Sequence, residues 1–128
     1  MMRTSLFVLF LLSSFNVFAG VERSQLTSAV ESKEPIDDLG AVVTASRSEI
    51  ITVTFFTQIV DLNDAVIEHV WLLNGEEQAR VELNIGSFNW RTYSSKRLNY
   101  LLEGDWQVQV VHNQQVLHQY DFTFQTVD

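Results

Sequence analysis

Apolar and polar residues alternate along much of this chain, and such a period-2 pattern predicts half-buried β-strands. The clearest run places Thr52, Thr54 and Gln58 on one face and apolar side chains on the other, namely Ile51, Val53, Phe55 and Ile59. The alternation recurs in four later runs, at residues 66–73, 79–85, 106–110 and 116–124. Weaker patterns favour a first edge strand within residues 21–32 and a further strand over residues 90–98. The spacing therefore predicts an all-β chain.

The turn between the strands at residues 66–73 and 79–85 is decided by the faces that they bury. A two-residue Asn74-Gly75 turn would pair Trp71 with Gln78 and place the two apolar faces on opposite sides of the sheet. A three-residue turn over residues 73–75 pairs Trp71 with Glu77 and keeps the apolar faces together. We therefore expect the three-residue turn.

The number and length of these strands favour one fold. About seven short strands, separated by turn signals in about 100 residues, predict an immunoglobulin-like antiparallel β-sandwich. That fold buries a tryptophan on its third strand, and Trp71 stands at this place. The chain has no cysteine, so we expect Phe55, Trp71 and Trp106 to form the packing centre without a disulfide.

The first 19 residues have the pattern of a secretory signal peptide. Arg3 precedes the apolar run 6–12, and Val17 and Ala19 indicate cleavage after Ala19. The apolar run is too short to span a membrane, which needs about 20 residues. We expect a signal peptide over residues 1–19 and a single β-sandwich domain over residues 20–128, in the periplasm or secreted beyond it, with no stable membrane insertion after cleavage.

The charge balance argues against two classes of partner. The formal net charge is −8, and it becomes −9 when Arg3 leaves with the signal peptide. An acidic surface does not attract nucleic acid or anionic lipid headgroups. The absence of cysteine also excludes thiolate chemistry. A protein or an envelope glycan is therefore the expected partner.

Several short motifs occur between residues 34 and 110, namely Glu34-Pro35, His69-Val70-Trp71, Asn74-Gly75, Trp90-Arg91 followed by Ser94-Ser95-Lys96, and Gly104-x-Trp106-x-Val108-x-Val110. Together they resemble a known bacterial family, domain of unknown function 2914, which often lies at the C-terminal end of membrane or exported proteins. The resemblance covers nearly all of the chain after residue 20. It implies no particular activity, substrate or cofactor.

His69 is the main candidate for acid–base chemistry. It shares a face with Trp71, which favours a core histidine that is hydrogen-bonded to a neighbour. The alternative is a base or a ligand at the rim of the sandwich, since the pKa of imidazole lies near neutrality. No serine, cysteine or carboxylate pair stands at a spacing that supports a triad, so we predict no catalytic residue.

Three groups of potential metal ligands lack the required geometry. Asp37 and Asp38 lie in a turn predicted for residues 34–40, where solvated carboxylates are common. The group at residues 61–64 lacks the spacing and glycine of a calcium loop. With an odd loop at residues 113–115, His112 faces Val116 and His118 faces Val110, and two diagonal histidines fall short of a zinc site. We predict no metal and no cofactor.

The strand at residues 90–98 is the better candidate for binding. Alternation places Arg91, Tyr93, Ser95 and Arg97 on one side, and Trp90, Thr92, Ser94 and Lys96 on the other. If the side with Arg91 faces solvent, its guanidinium, phenol and hydroxyl groups suit a carboxylate or a sugar. If the other side faces solvent, Trp90 and Lys96 form the candidate surface instead. In the structural alternative, Arg91 pairs with Glu68 or Glu82 and ties strands together.

These observations favour a non-catalytic interaction module of the bacterial cell envelope that binds a protein or a glycan. The predicted ligand-binding residues are His69, Trp90, Arg91, Ser95 and Lys96. Two alternatives stay open at this point. One is a small hydrolase that depends on His69 or on a metal, and the other is a structural envelope subunit that oligomerises.

Overall fold

The computed structural model describes residues 20–128, so the signal peptide expected at residues 1–19 lies outside the described residues. The described chain forms strands joined by short connections, with one 3-10 turn at Tyr100–Leu102. The strands are β1 (Gly20–Thr27), β2 (Val30–Glu31), β3 (Glu34–Pro35), β4 (Val42–Ser46), β5 (Ile51–Val60), β6 (Val66–Leu73), β7 (Glu76–Asn84), β8 (Asn89–Leu98), β9 (Gly104–His112) and β10 (Gln115–Val127). Within residues 20–128, no helix has the length and hydropathy needed to cross a membrane.

Two sheets form the sandwich. One sheet has the order β1-β5-β8 and the other β4-β10-β9-β6-β7, while β2 and β3 form a small separate hairpin. Adjacent strands are antiparallel except for β4, which runs parallel to β10. The arrangement confirms the predicted all-β, immunoglobulin-like sandwich. The sequence pattern did not predict β4, because the exposed apolar Val42 beside the buried Val43 breaks the alternation, and it assigned the two-residue β3 to a turn.

The core lies between the inner faces of the two sheets, at the alternating positions. Phe55, Trp71 and Trp106 are buried there, as expected. The ring of Trp106 packs edge-on against Trp71 at 6.4 Å and is stacked with Phe122 at 6.1 Å. Burial of each such side chain stabilises the fold by about 1.5–3 kcal/mol, which offsets the missing disulfide.

Trp106 also fixes the start of β9. Its indole N–H donates a hydrogen bond of 2.9 Å to the carbonyl oxygen of Leu102, at the end of the 3-10 turn. In immunoglobulin-type domains, a tyrosine at the corresponding corner bonds back to backbone a few residues upstream. Here Trp106 donates the corresponding hydrogen bond, and its ring contributes more apolar area to the core than a tyrosine ring would.

The turn between β6 and β7 differs from the prediction. Leu73 pairs with Glu76, so the turn contains only Asn74 and Gly75, whose φ angles of 50° and 86° suit a type I′ turn. The apolar faces are kept together by a β-bulge, after which Trp71 pairs with Ala79 rather than with Glu77. The three-residue turn was wrong because the extra residue lies inside the strand.

The β9–β10 hairpin uses the same device. Its turn contains Asn113 and Gln114, so His112 pairs with Gln115 rather than facing Val116. A bulge then brings His118 opposite Val110, as the odd loop predicted. The alternation over residues 116–124 predicts that Val116 faces inward with Tyr120, Phe122 and Phe124, but Val116 is exposed because it lies between the turn and the bulge.

Candidate binding strand β8

Strand β8 forms one edge of the three-stranded sheet. All ten of its residues pair with β5, from Asn89 opposite Val60 to Leu98 opposite Ile51, without a bulge. Among residues 20–128, no strand pairs with its other edge. Alternate residues of an antiparallel edge strand direct their N–H and C=O groups away from the sheet. β8 therefore presents a long, regular backbone edge.

The structure decides which side of β8 faces solvent. Arg91, Tyr93, Ser95 and Arg97 lie on the outer side and are exposed, whereas Ser94 and Leu98 on the inner side are buried. Trp90, Thr92 and Lys96 share the inner side with them. The structure therefore places Arg91 and Ser95 on one side of the strand and Trp90 and Lys96 on the other.

Arg91 is joined to the β2–β3 hairpin. Its Nη1 lies 2.6 Å from Glu34 Oε2, and the same carboxylate accepts two hydrogen bonds from Arg23 on β1, at 3.1 and 2.8 Å. The expected partners Glu68 and Glu82 were wrong, since Glu68 binds Arg80 at 2.7 Å. Glu34 thus connects the two edge strands across β5.

This arrangement covers an aromatic ring on the outer face of the sheet. The Arg23 guanidinium lies 4.9 Å above the ring of Phe56, which is buried although it points away from the core. Hydrogen bonds from Arg23 and then from Arg91 lower the pKa of Glu34 to about 2. We name Arg23, Glu34 and Arg91 the outer clasp.

Asp37 holds the segment that follows the hairpin. Its carboxylate accepts hydrogen bonds from the Ser28 amide and hydroxyl and from the Thr27 hydroxyl, at 2.6–2.7 Å. These bonds, led by those from Ser28, lower the pKa of Asp37. Asp38 caps the next turn through the Gly40 amide at 2.9 Å. Both carboxylates are therefore engaged in hydrogen bonds within the chain.

The remaining polar groups of β8 differ in their partners. Ser95 Oγ lies 2.7 Å from Thr54 Oγ1 on β5. Neither Lys96 nor Arg97 forms an ion pair within residues 20–128. Trp90 covers Gly86, since a Cβ added there would lie 2.6 Å from the indole ring. The cationic groups of Lys96 and Arg97 are therefore available to another molecule.

His69 lies in the core, away from this surface. It is fully buried, with Nδ1 2.7 Å from Ser94 Oγ and Nε2 3.1 Å from Thr57 Oγ1. The indole N–H of Trp71 donates to the same Ser94 oxygen at 3.1 Å. Burial lowers the pKa of His69 to about 3, so the imidazole is neutral at physiological pH. Alternation placed Ser94 on this side of β8 but did not predict its contact with His69, because a lone inward serine is not part of a recognisable motif.

Two surface depressions lie elsewhere. One, of about 530 Å³, is lined by residues on β6, β9 and β10 that include Asp105 and Asp121. The other, of about 510 Å³, is lined by Glu68, Arg80 and Glu82 with the Asn113-Gln114 turn. Neither is lined by His69 or by β8. In the described chain, no three His, Cys, Asp or Glu residues are grouped so that they could hold a metal ion.

Comparison with known proteins confirms the resemblance found in the sequence. Residues 64–124 match the family model described as a protein of unknown function, DUF2914. This range runs from the end of the β5–β6 connection into β10 and contains the whole of β8. No curated protein matches the chain.

Solved structures support the fold. An immunoglobulin-like protein from Pseudomonas aeruginosa superposes with a TM-score of 0.60 at 11% identity, covering 85% of this chain and 98% of its own. The CARDB domain of a Pyrococcus furiosus protein, in complex with di-metal ions, gives a TM-score of 0.55 at 10% identity, with 89% and 95% coverage. At these identities the likeness concerns the fold alone.

Proposed function

We propose that this chain, whose residues 64–124 match the DUF2914 family model, is a non-catalytic interaction module of the cell envelope. Its partner is a protein that adds an extended segment to the free edge of β8. The signal-peptide pattern of residues 1–19 supports the export that this role requires.

The observation that carries the proposal is the combination of a regular free edge with unpaired cations. Strand addition takes its affinity from main-chain hydrogen bonds and its specificity from side chains beside them. For the former, β8 offers the outward N–H and C=O groups of every second residue along its ten regularly paired positions. Lys96 and Arg97, which have no ion-pair partner within residues 20–128, favour a segment that contains carboxylates.

The positions of the aromatic residues favour a protein over a glycan. A sugar ring stacks on a flat platform of exposed aromatic side chains. Trp90 and Tyr93 lie on opposite sides of β8, and Trp90 is turned onto Gly86. Tyr93, which is 50% exposed on the outer side, instead suits contact with a neighbouring strand.

The core supports a non-catalytic role. His69, which shares a face with Trp71, is sealed between the sheets, and both nitrogens of its neutral ring are hydrogen-bonded. A base needs access to the proton that it removes. His69 therefore acts on this account as a polar element of the core rather than as the base of a hydrolase.

Photo-crosslinking in cells tests the proposal. A photoreactive phenylalanine analogue replaces Tyr93 in the full chain, and a second variant carries it at Gln119, an exposed position on the opposite sheet. We expect a discrete protein adduct from position 93 only, with the crosslink mapped to an extended segment. Adding Arg97→Glu should abolish this adduct.

Two results would contradict the proposal. The first is the same set of adducts from positions 93 and 119, which would indicate contact without a defined site. The second is a complete lack of protein adducts at position 93 when the protein is correctly exported and folded, which would favour a glycan or a different surface.

A further inference from the structure

We propose that the segment received by β8 is β7 of a second copy of this chain, so that two copies form a symmetric dimer. The inference rests on the proposed function, because it names the partner of the same edge. It starts from the properties of β7, which is the corresponding edge strand of the five-stranded sheet.

β7 is an acidic strand with a free edge. It pairs with β6 on one side, and among residues 20–128 no strand pairs with the other. It carries Glu76, Glu77 and Glu82, with Arg80 as its one cation. Arg80 binds Glu77 and Glu68, so Glu76 and Glu82 are left without an ion pair in the described chain.

The spacing of these acids matches the spacing of the bases on β8. Glu82 stands five and six residues after Glu77 and Glu76, while Lys96 and Arg97 stand five and six residues after Arg91. In an antiparallel pairing, Glu82 beside Arg91 therefore brings the two glutamates beside the two cations. The bulge in β7 shifts this match by one position, so that Glu76 faces Lys96 on the inner side and Glu77 faces Ser95, diagonal to Arg97, on the outer side.

The same alignment places Arg80 beside Tyr93. Both side chains are exposed on the outer sides of their strands, where a guanidinium can lie over a phenol ring. Glu82 lies on the same side of β7 as Arg80, and Arg91 lies on the same side of β8 as Tyr93; both are also exposed. The pairing thus matches the two strands in charge and in the side on which each residue points.

The positions of the two edges permit this pairing twice in one dimer. β8 packs over β6, the neighbour of β7, through the His69–Ser94 contact, while β1 contacts β10 at the far side, so both free edges lie on the same side of the sandwich. The chain reverses between them through residues 85–88. A twofold axis along the strands then sets β8 of each copy antiparallel to β7 of the other, and each layer continues across the dimer.

Pairing of like strands is disfavoured by charge. A β8–β8 contact would oppose Arg91, Lys96 and Arg97 to one another, and a β7–β7 contact would oppose glutamates. Like charges directly opposite each other across a strand pair are destabilising. Among the edge pairings available on this side, β7 with β8 is the one that charge favours.

Sedimentation equilibrium of the protein purified after expression of the full chain tests the dimer. We expect concentration-dependent dimers whose dissociation constant rises at least about tenfold in Lys96→Glu and in Glu76→Arg. The combined variant, Glu76→Arg with Lys96→Glu, should regain most of the affinity. Lys33→Glu, at the exposed tip of the β2–β3 hairpin, makes the same change in net charge and should leave the dimer intact.

The outcomes separate this inference from the proposed function. A dimer that is unchanged by Lys96→Glu overturns the β7–β8 contact. A monomer at every concentration whose β8 amide resonances still shift on addition of a peptide of residues 76–84 overturns the stable dimer and retains β8 as an interaction strand. A monomer whose β8 resonances respond neither to this peptide nor to other extended acidic peptides overturns both proposals.

Discussion

Glu34 Oε2 lies 2.6 Å from Arg91 Nη1, although the two residues are 57 positions apart in the sequence. The contact ties the β2–β3 hairpin to the outer side of β8, across the buried ring of Phe56. Arg91 therefore has a structural partner within the chain, whereas Arg97, on the same side of the strand, has none in the described residues. The two arginines should respond differently to mutation.

Glu34→Gln should loosen the hairpin while leaving the sandwich folded. The carboxylate receives bonds from two guanidinium groups, and exposed ion pairs contribute little to global stability. We expect faster amide exchange at residues 30–35 with a small change in melting temperature. Glu31→Gln, an exposed hairpin residue outside the clasp, should exchange like the wild type. Equal exchange in both variants would show that the clasp does not hold the hairpin.

The clasp should also give the hairpin a dependence on pH. Glu34 has a pKa of about 2 in the fold, below the ordinary value of 4.5, so its stabilising contribution is present above pH 4.5. That contribution is lost progressively as the pH falls from 4.5 toward 2. The protection factors of the amides at residues 30–35, which are corrected for the pH dependence of intrinsic exchange, should fall over this range in the wild type and show a weaker pH response in Glu34→Gln.

His69 should make the whole domain less stable in mild acid. Its pKa is about 3 when folded and 6.5 ordinarily, so between these values the unfolded chain binds a proton that the folded chain does not. Above pH 6.5 the histidine is neutral in both states and burial carries no protonation cost. Below pH 6.5 the free energy of unfolding falls, by up to about 1.4 kcal/mol for each pH unit.

Urea unfolding at several pH values measures this effect. His69→Gln should lower stability at pH 7 because it disturbs the bonds to Ser94 and Thr57, but the decline from pH 6.5 to 4 should become shallower. His112→Gln, a change at a half-buried position outside this network, should keep the wild-type slope. An imidazole of His69 that titrates near pH 6.5 by NMR would contradict the account.

Gly86→Ala should displace the indole of Trp90. The added methyl group would lie 2.6 Å from the ring, which is too close for either group to keep its place. We expect a loss of about 1–3 kcal/mol in unfolding free energy and a shift in tryptophan emission. In a Trp90→Ala background the same change should cost much less, and equal costs in the two backgrounds would show that the contact is unimportant.

The alternation of residues predicted most strands and the packing centre because each buried face repeats at every second position. It failed where a single residue breaks that repeat. Trp71 and His118 reach their correct partners through bulges inside β6–β7 and β9–β10, whereas sequence reasoning placed the extra residues in the turns. Turn length and bulge position give the same face pattern, so alternation alone does not distinguish them.

The candidate site was predicted as a strand but not as a set of contacts. Alternation placed Arg91 and Arg97 on one side of β8 correctly, yet it gave no means of finding Glu34, which is distant in sequence. His69 was included among the predicted ligand-binding residues because histidine can act as a base or a ligand. The structure buries it between the sheets, away from the surface of β8. Such long-range relations depend on how the sheets stack.

The central claim is that the outer edge of β8 receives a strand. Residue-resolved amide exchange tests it most directly, comparing the dilute protein with the complex recovered through the crosslink at position 93. We predict that fast and slow amides alternate along residues 89–98 in the dilute protein, and that the fast amides become protected in the complex. Fast exchange that persists at these residues in the complex would contradict the claim.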